Sequence, residues 1–341
     1  MIAVELPGAL QILAAACQKF GYEFTVLDSY SKHLVEVSRG EKSFITGGGI
    51  LTLYPLNLST PSQIANDKAH TYTLLKAKNF RIPKGDYFFL KPEYRELRGD
   101  GKELADAFLF AEGFGYPVFV KPNRGSHGNF AEVVHDENEL RVQLEKIADY
   151  TSIALLQEVL RGNEYRIFVV DGVVQYAYQR VAPHATGDAI HTIQELLDHH
   201  NTAHNLKPDH IISGESPYLA NKLRQEKFSV TTILPAGKTL QIAAKSNLSV
   251  GGCISDYTEI VSEECSAWAK KVAATMNLRV CGIDIFSTAN LEHPENFTIL
   301  EVNRNPSLRG IYEMGGQEKV FAIWKEILEK YFSEVEKTSG K

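Results

Sequence analysis

The chain has 341 residues, 44% apolar and 23% charged, with a formal net charge of -6. That composition suits a globular protein of two or three lobes; it argues against a nucleic-acid partner, whose phosphates demand a basic face, and no apolar run is long enough to cross a bilayer. The N-terminal residues, with Glu5 among them, do not read as a signal peptide, and Cys17, Cys253, Cys265 and Cys281 form no CxxC pair, so a reducing cytosol is expected rather than a zinc site or disulfide framework.

Helical apolar spacing runs from Gly8 to Phe20, and "YEFTVLD" follows as a strand, predicting a small α/β unit over residues 1–66. Asp67 to Lys78 reads as a helix stopped near Pro83 and Gly85. From Gly101 to Tyr150 come a helix, the strand "VFVKP", a glycine-punctuated polar loop from Arg124 to Asn129, the strand "FAEVV" and another helix. "SIALLQEVL", "EYRIFVVDG" and "VVQYAYQRV" read as three successive strands, with Asp171-Gly172 a hairpin turn. "VCGIDIF" and "FTILEVN" are buried strands, and in the last helix Val320, Ile323, Trp324, Ile327, Leu328 and Tyr331 share a face, with fraying expected after Glu336.

Two phosphate-binding signatures are absent. "GKT" at Gly237 would close a P-loop only if Thr232 were glycine, and "GFGYPV" from Gly113 has Val118 where a dinucleotide fingerprint needs its third glycine. A metal site is suggested instead by Glu301 and Asn303, two apart on one strand face, and by Asp284 within "CGID". Oxygen ligands flanked by apolar residues are costly to bury unpaired, and either a hard cation or a hydrogen-bonded cluster would satisfy them. His199, His200 and His204 lack carboxylate or cysteine partners at ligand spacing and read as a solvated helix face; Cys281 has no flanking cation to activate it.

In order, "VFVKP", the glycine-rich loop, "QEVLRGNEYRIFVVDG", "QRVAPHATGDAIHTIQELL", "SNLSVGG", "CGIDIF" and "LEVNRNPSLRG" resemble ATP-grasp carboxylate-amine ligases over roughly residues 66–316. The similarity is to the ATP-grasp portions of cyanophycin synthetase and bifunctional glutathione synthase. It implies an α/β (α+β) ATP-grasp fold: an N-terminal α/β pre-grasp unit over residues 1–66 and an ATP-grasp domain over 67–341. Within that domain a lid subdomain spans about 88–150 and a C-terminal subdomain about 151–335, with ATP between them.

The same resemblance implies roles for individual residues. Lys121 and Lys68 reach the phosphates, and Gly125, Ser126, His127 and Gly128 belong to a loop folding over them, where glycines let backbone N–H groups approach phosphate oxygens. Gln157, Glu158, Val159 and Leu160 form the adenine hinge, and Glu164 accepts from the ribose hydroxyls. Arg180 neutralises charge on the transferring phosphate, Arg166 contacts phosphate or substrate, and Arg309 lies near the acyl substrate. Asp284, Glu301 and Asn303 hold two Mg²⁺ ions, with Mn²⁺ a further candidate. The implied reaction is ATP-dependent amide formation through an acyl phosphate, between an amino-acid or peptide carboxylate and an amine.

One departure stands out: where the relatives carry an arginine four residues before Asn247, this chain has Ala243, and Lys245 is the substitute charge, lacking an arginine's bidentate fork. A narrower reading is a glutathione-synthetase-like ligase of glycine to a γ-glutamyl thiol dipeptide; a reading of another class is a nucleotide-binding regulator without turnover. The length leaves no room for the second catalytic modules of the two relatives, so a stand-alone enzyme is expected. Its partners would be small molecules, with no nucleic acid or membrane, in a homodimer or tetramer. Substrate contacts are expected in the segment from Gly47 to Thr60 and near Arg309.

Overall fold

The computed structural model describes residues 6–125, 128–243, 246 and 250–339. Helix α1 (Gly8–Phe20) buries Leu10, Ile12, Leu13, Ala16 and Cys17 on one face and leads into an antiparallel meander of β1 (Glu23–Val26), β2 (Leu34–Arg39) and β3 (Lys42–Gly47). After a glycine-rich turn come α2 (Ser59–Ala65) and α3 (Lys68–Ala77), the latter capped by the Asp67 carboxylate, which accepts from His70 N.

A second layer comprises β4 (Gly85–Phe89), α4 (Leu104–Phe114), β5 (Val118–Pro122), β6 (Glu132–Val134), α5 (Glu137–Tyr150) and β7 (Ile153–Glu158). The sheet order is β4-β7-β5-β6, all antiparallel. Val118, Val120, Ala154 and Leu156 pack against Ala107, Ala111, Leu140, Leu144 and Ile147 of the two helices. Side chains alternate along a strand, so Phe119, Lys121, Leu155 and Gln157 are sent to the opposite face. The three successive strands read from sequence therefore divide: β7 closes this sheet, and only the next two form a hairpin.

That hairpin, β8 (Asn163–Val170) and β9 (Val173–Val181), turns at Asp171-Gly172, both with positive φ as a tight two-residue turn requires. A satellite follows: β10 (His184–Thr186), α6 (Ile193–Ala203), α7 (Pro217–Glu226) and β11 (Thr239–Gln241) enclose Ala185, Ile193, Leu197, Leu219, Leu234 and Leu240. The "HTIQE" sequence is explained here, because Thr192 and Glu195 form a reciprocal capping box at the start of α6. The chain then runs through β12 (Cys253–Asp256), α8 (Glu263–Thr275), β13 (Val280–Ser287), β14 (Thr298–Asn303), α9 (Arg309–Glu313) and α10 (Gln317–Ser339). Contrary to the fraying expected after Glu336, α10 continues to Ser339.

The large sheet has the order β12-β9-β8-β13-β14. One face, with Tyr165, Ile167, Cys281, Ile283 and Ile285, is covered by α8. The other is apolar only toward one end, where Phe168, Val170, Tyr176 and Val280 meet α1 and α10. The remainder of that face carries charge. Among the described residues, no helix is long and apolar enough to cross a membrane.

Buried Asn57 ties the N-terminal unit to this sheet: its Oδ1 accepts from Arg279 N and Val280 N, and its Nδ2 donates to Val280 O and Arg304 O. Removing it strands buried backbone groups on two segments. Asn57→Ala is expected to lower the unfolding free energy in urea by about 2–4 kcal/mol. A loss under about 0.5 kcal/mol would show that the tie is dispensable.

Candidate active site

The charged face is built by register. Arg166 on β8 stands opposite Asp284 on β13, Asp284 opposite Glu301 on β14, Gly282 opposite Asn303, and Glu164 opposite Arg180 on β9. Six polar side chains thus occupy adjacent positions across four strands. Asp284 is 5% exposed within a strand buried on both sides, a costly place for a carboxylate. Both its oxygens accept from Arg166, from Nε and Nη2 at 2.5 Å, while Arg180 Nη2 lies 3.4 Å away and Asn303 Nδ2 donates at 3.2 Å. The two guanidiniums hold its carboxyl below the usual carboxylate range, against the desolvation that pushes it up. Gly282 makes room for Pro306 beside this pair, because a Cβ there would stand 2.7 Å from Pro306 Cβ.

Arg180 also donates to Glu164 Oε1 at 2.6 Å, and Ser246 Oγ donates to Glu164 Oε2 at 2.5 Å. Both carboxylate oxygens expected to meet a ribose are thereby engaged. Toward the smaller sheet, Lys121 is 8% exposed and donates to Tyr72 Oη at 2.9 Å, which in turn donates to Leu300 O at 2.5 Å. Burial drives the Lys121 ammonium down to about 8, with the Glu301 carboxylate opposing the shift. One helical turn before Tyr72, Lys68 Nζ donates to Gly125 O at 3.2 Å and lies 3.9 Å from Glu301 Oε2. Helix α3 therefore bridges the start of the glycine-rich loop, the lysine strand and the carboxylate strand. Its own N-terminus is held by Asn123, which accepts from Lys68 N at O and from Ala69 N at Oδ1.

Glu158 is anchored to the neighbouring turn rather than free: its Oε1 accepts from Lys84 N and its N–H donates to Lys84 O. Val159 and Leu160 continue from it across the link between the two sheets, beside buried Gln157. Gly125 and Gly128 have positive φ, as a loop presenting its backbone requires. Ser126, His127 and Lys245 lie outside the described residues. Arg309 stands apart from the converging set, with its Nε on Glu313 Oε1 at 2.6 Å and its guanidinium against Gly8. Tyr72, Asn123 and Ser246 were not singled out by the sequence, although the four-residue step from Lys68 to Tyr72 is a readable signal.

Asp284, Glu301 and Asn303 offer two carboxylates and an amide oxygen on paired strands, a donor set of the hard-oxygen kind that suits Mg²⁺. Among the described residues the cation at ion-pair distance from Glu301 is Lys68 at 3.9 Å, whereas Asp284 would have to share its oxygens with Arg166. Among the described residues no three histidine, cysteine or acidic side chains gather into a metal site, so a site here would take Asn303 as its third donor; His199 and His204 are exposed, whereas His200 is part-buried with its Nε2 3.2 Å from Val250 O.

Residues 238–326 match the RimK-like ATP-grasp domain. The chain is similar to the glutathione biosynthesis bifunctional protein GshAB of Streptococcus thermophilus, 29% identical over 336 residues, covering 95% of this chain and 42% of that protein. It is also similar to cyanophycin synthetase of Geminocystis herdmanii, 28% identical over 258 residues, covering 72% of this chain and 28% of that protein. The crystal structure of a bifunctional glutathione synthetase from Pasteurella multocida shares the fold, with a TM-score of 0.60, 19% identity, and coverage of 95% of this chain and 44% of that one. The chain therefore spans less than half the length of these relatives.

Two buried charges at this site are expected to behave oppositely. Among the described residues Lys121 has no carboxylate at ion-pair distance, so Lys121→Met should raise stability at pH 7 by about 1–3 kcal/mol. Because its folded pKa lies below the unfolded value, the charge penalty is full below pH 8 and relieved as pH rises through 8 toward the ordinary lysine value. The stability gap between variant and wild type should therefore shrink from pH 7 to pH 9.5 in urea unfolding; a constant gap contradicts the assignment. Asp284→Ala, by contrast, leaves two buried guanidiniums facing each other and should cost about 3–5 kcal/mol.

Proposed function

We propose that the chain is an ATP-dependent ligase that joins an amino-acid or peptide carboxylate to an amine through an acyl phosphate, releasing ADP and phosphate. The observation that carries this reading is the convergence of Lys68 of α3 and Lys121 of the smaller sheet on the Arg166, Arg180, Asp284, Glu301 and Asn303 cluster of the large sheet. This set suits phosphoryl transfer by charge and position, and the one sulfur on β13, Cys281, faces α8 with its thiol pushed up to about 12 by burial.

In this reading Gln157 to Leu160 flank the adenine and Glu164 accepts from the ribose, exchanging Ser246 for sugar hydroxyls. Lys121, Lys68 and the loop containing Gly125, Ser126, His127 and Gly128 bind phosphate oxygens, with Lys245 as a further cation. Asp284, Glu301 and Asn303 would hold two Mg²⁺ ions, or Mn²⁺, supplying charge neutralisation at the β- and γ-phosphates. Arg180 and Arg166 are aimed at charge that develops as the phosphoryl group moves to the substrate carboxylate. The amine then attacks the acyl phosphate carbonyl, a tetrahedral intermediate forms, and its collapse expels phosphate. No covalent enzyme intermediate is required.

The similarity to bifunctional glutathione proteins favours a second, narrower reading, ligation of glycine to a γ-glutamyl thiol dipeptide. Mg²⁺-dependent ADP release should appear when ATP is supplied with a mixed pool of amino acids and γ-glutamyl dipeptides, and the product mass distinguishes the two readings. Arg180→Ala and Glu301→Ala should each reduce turnover by roughly 10²–10³-fold. ATP binding with no ADP from any pool would instead favour a nucleotide-binding regulator.

A further inference from the structure

Arg304, the residue after Asn303, is 8% exposed, yet among the described residues its guanidinium has no carboxylate at ion-pair distance. Its bonds go to neutral oxygens: Nη1 to Thr52 Oγ1 at 3.0 Å and Nη2 to Ile50 O at 2.8 Å. Fastening this segment does not require a charge, because Asn305 already does so. Its Oδ1 accepts from Leu53 N at 2.9 Å and its Nδ2 donates to Leu51 O at 2.6 Å, while Tyr54 Oη donates to Pro306 O. A buried cation beside a neutral tie is costly unless an anion completes it.

The turn leading to this cation is shaped for close approach. A Cβ at Gly47 would lie 2.1 Å from His33 O and one at Gly48 2.7 Å from His33 Nδ1, so only glycine lets the chain press against His33. The turn brings the Ile50 carbonyl to Arg304 while leaving the Ile50 side chain 86% exposed. A guanidinium with spare donors, a hydroxyl and a solvent-facing apolar side chain thus adjoin the strand that carries Asn303. Together they match an α-amino acid's carboxylate and carbon frame.

We propose that Arg304 and Thr52 receive the free carboxylate of the amine-donating amino acid, which becomes the new C-terminus of the product, with Ile50 alongside its apolar part. This deepens the ligase reading and rests on it, but its test does not require turnover. Calorimetric titration of the full chain, with Mg²⁺ and a non-hydrolysable ATP analogue, would use the standard amino acids and their carboxamides as probes. At least one amino acid should bind, with its carboxamide roughly thirtyfold weaker. Arg304→Met should bind acid and amide alike, and Arg304→Lys should recover part of the preference. Thr52→Val provides the same comparison should Arg304→Met fail to fold, since Asn305 still fastens the loop. The proposal is overturned if no amino acid binds, or if these variants keep the wild-type preference for acid over amide. ADP release judges the ligase reading separately.

Discussion

The bidentate pair between Arg166 and Asp284 is the contact on which the charged face depends. Asp284 lies in the most buried strand of the molecule's largest sheet, where an unpaired carboxylate would be expelled or protonated. Register solves this by placing an arginine directly opposite. The remaining charges are added around that pair, with Arg180 reaching both Asp284 and Glu164, and Asn303 donating to Asp284. Such an arrangement is preorganised: its dipoles and charges are fixed by strand pairing before any ligand arrives.

The second constraint is how two separate sheets are brought to one point. Helix α3 achieves this with few side chains, because residues one turn apart face the same direction. Lys68 touches the glycine-rich loop and approaches Glu301; Tyr72 links Lys121 to the backbone of β14. The cost is a buried lysine that, among the described residues, has no carboxylate at ion-pair distance, and burial lowers its pKa. The site thus sets a paired anion on the large sheet against a cation on the small one that is held by the Tyr72 hydroxyl.

Much of the fold was legible in the sequence because it is encoded locally. Apolar periodicity located α1, α3 and α10, and continuous apolar runs located β13 and β14. Asp284, Glu301 and Asn303 could be grouped because strand alternation alone puts the last two on one face. What escaped was set by pairing between distant segments. Nothing near Arg166 indicates that it meets a residue 118 positions later, and Arg304 looks like a loop cation until its partners at Ile50 and Thr52 are seen. Likewise β7 reads as the first member of a three-strand run, and only its pairing with β4 and β5 assigns it to the smaller sheet. Arg309 was singled out by motif position; its ion pair with Glu313 is a local i,i+4 contact within α9, but its packing on Gly8 is a tertiary fact.

The most direct test of the chemistry is an isotope experiment. The acyl substrate is labelled with ¹⁸O in both carboxylate oxygens, and the phosphate and nucleotide formed with ATP and the amine are examined by mass. Transfer through an acyl phosphate predicts that each inorganic phosphate carries one ¹⁸O, that the amide keeps the other, and that ADP is the nucleotide product. Label appearing in AMP, or unlabelled phosphate released alongside ADP and amide, would contradict the mechanism read from this site.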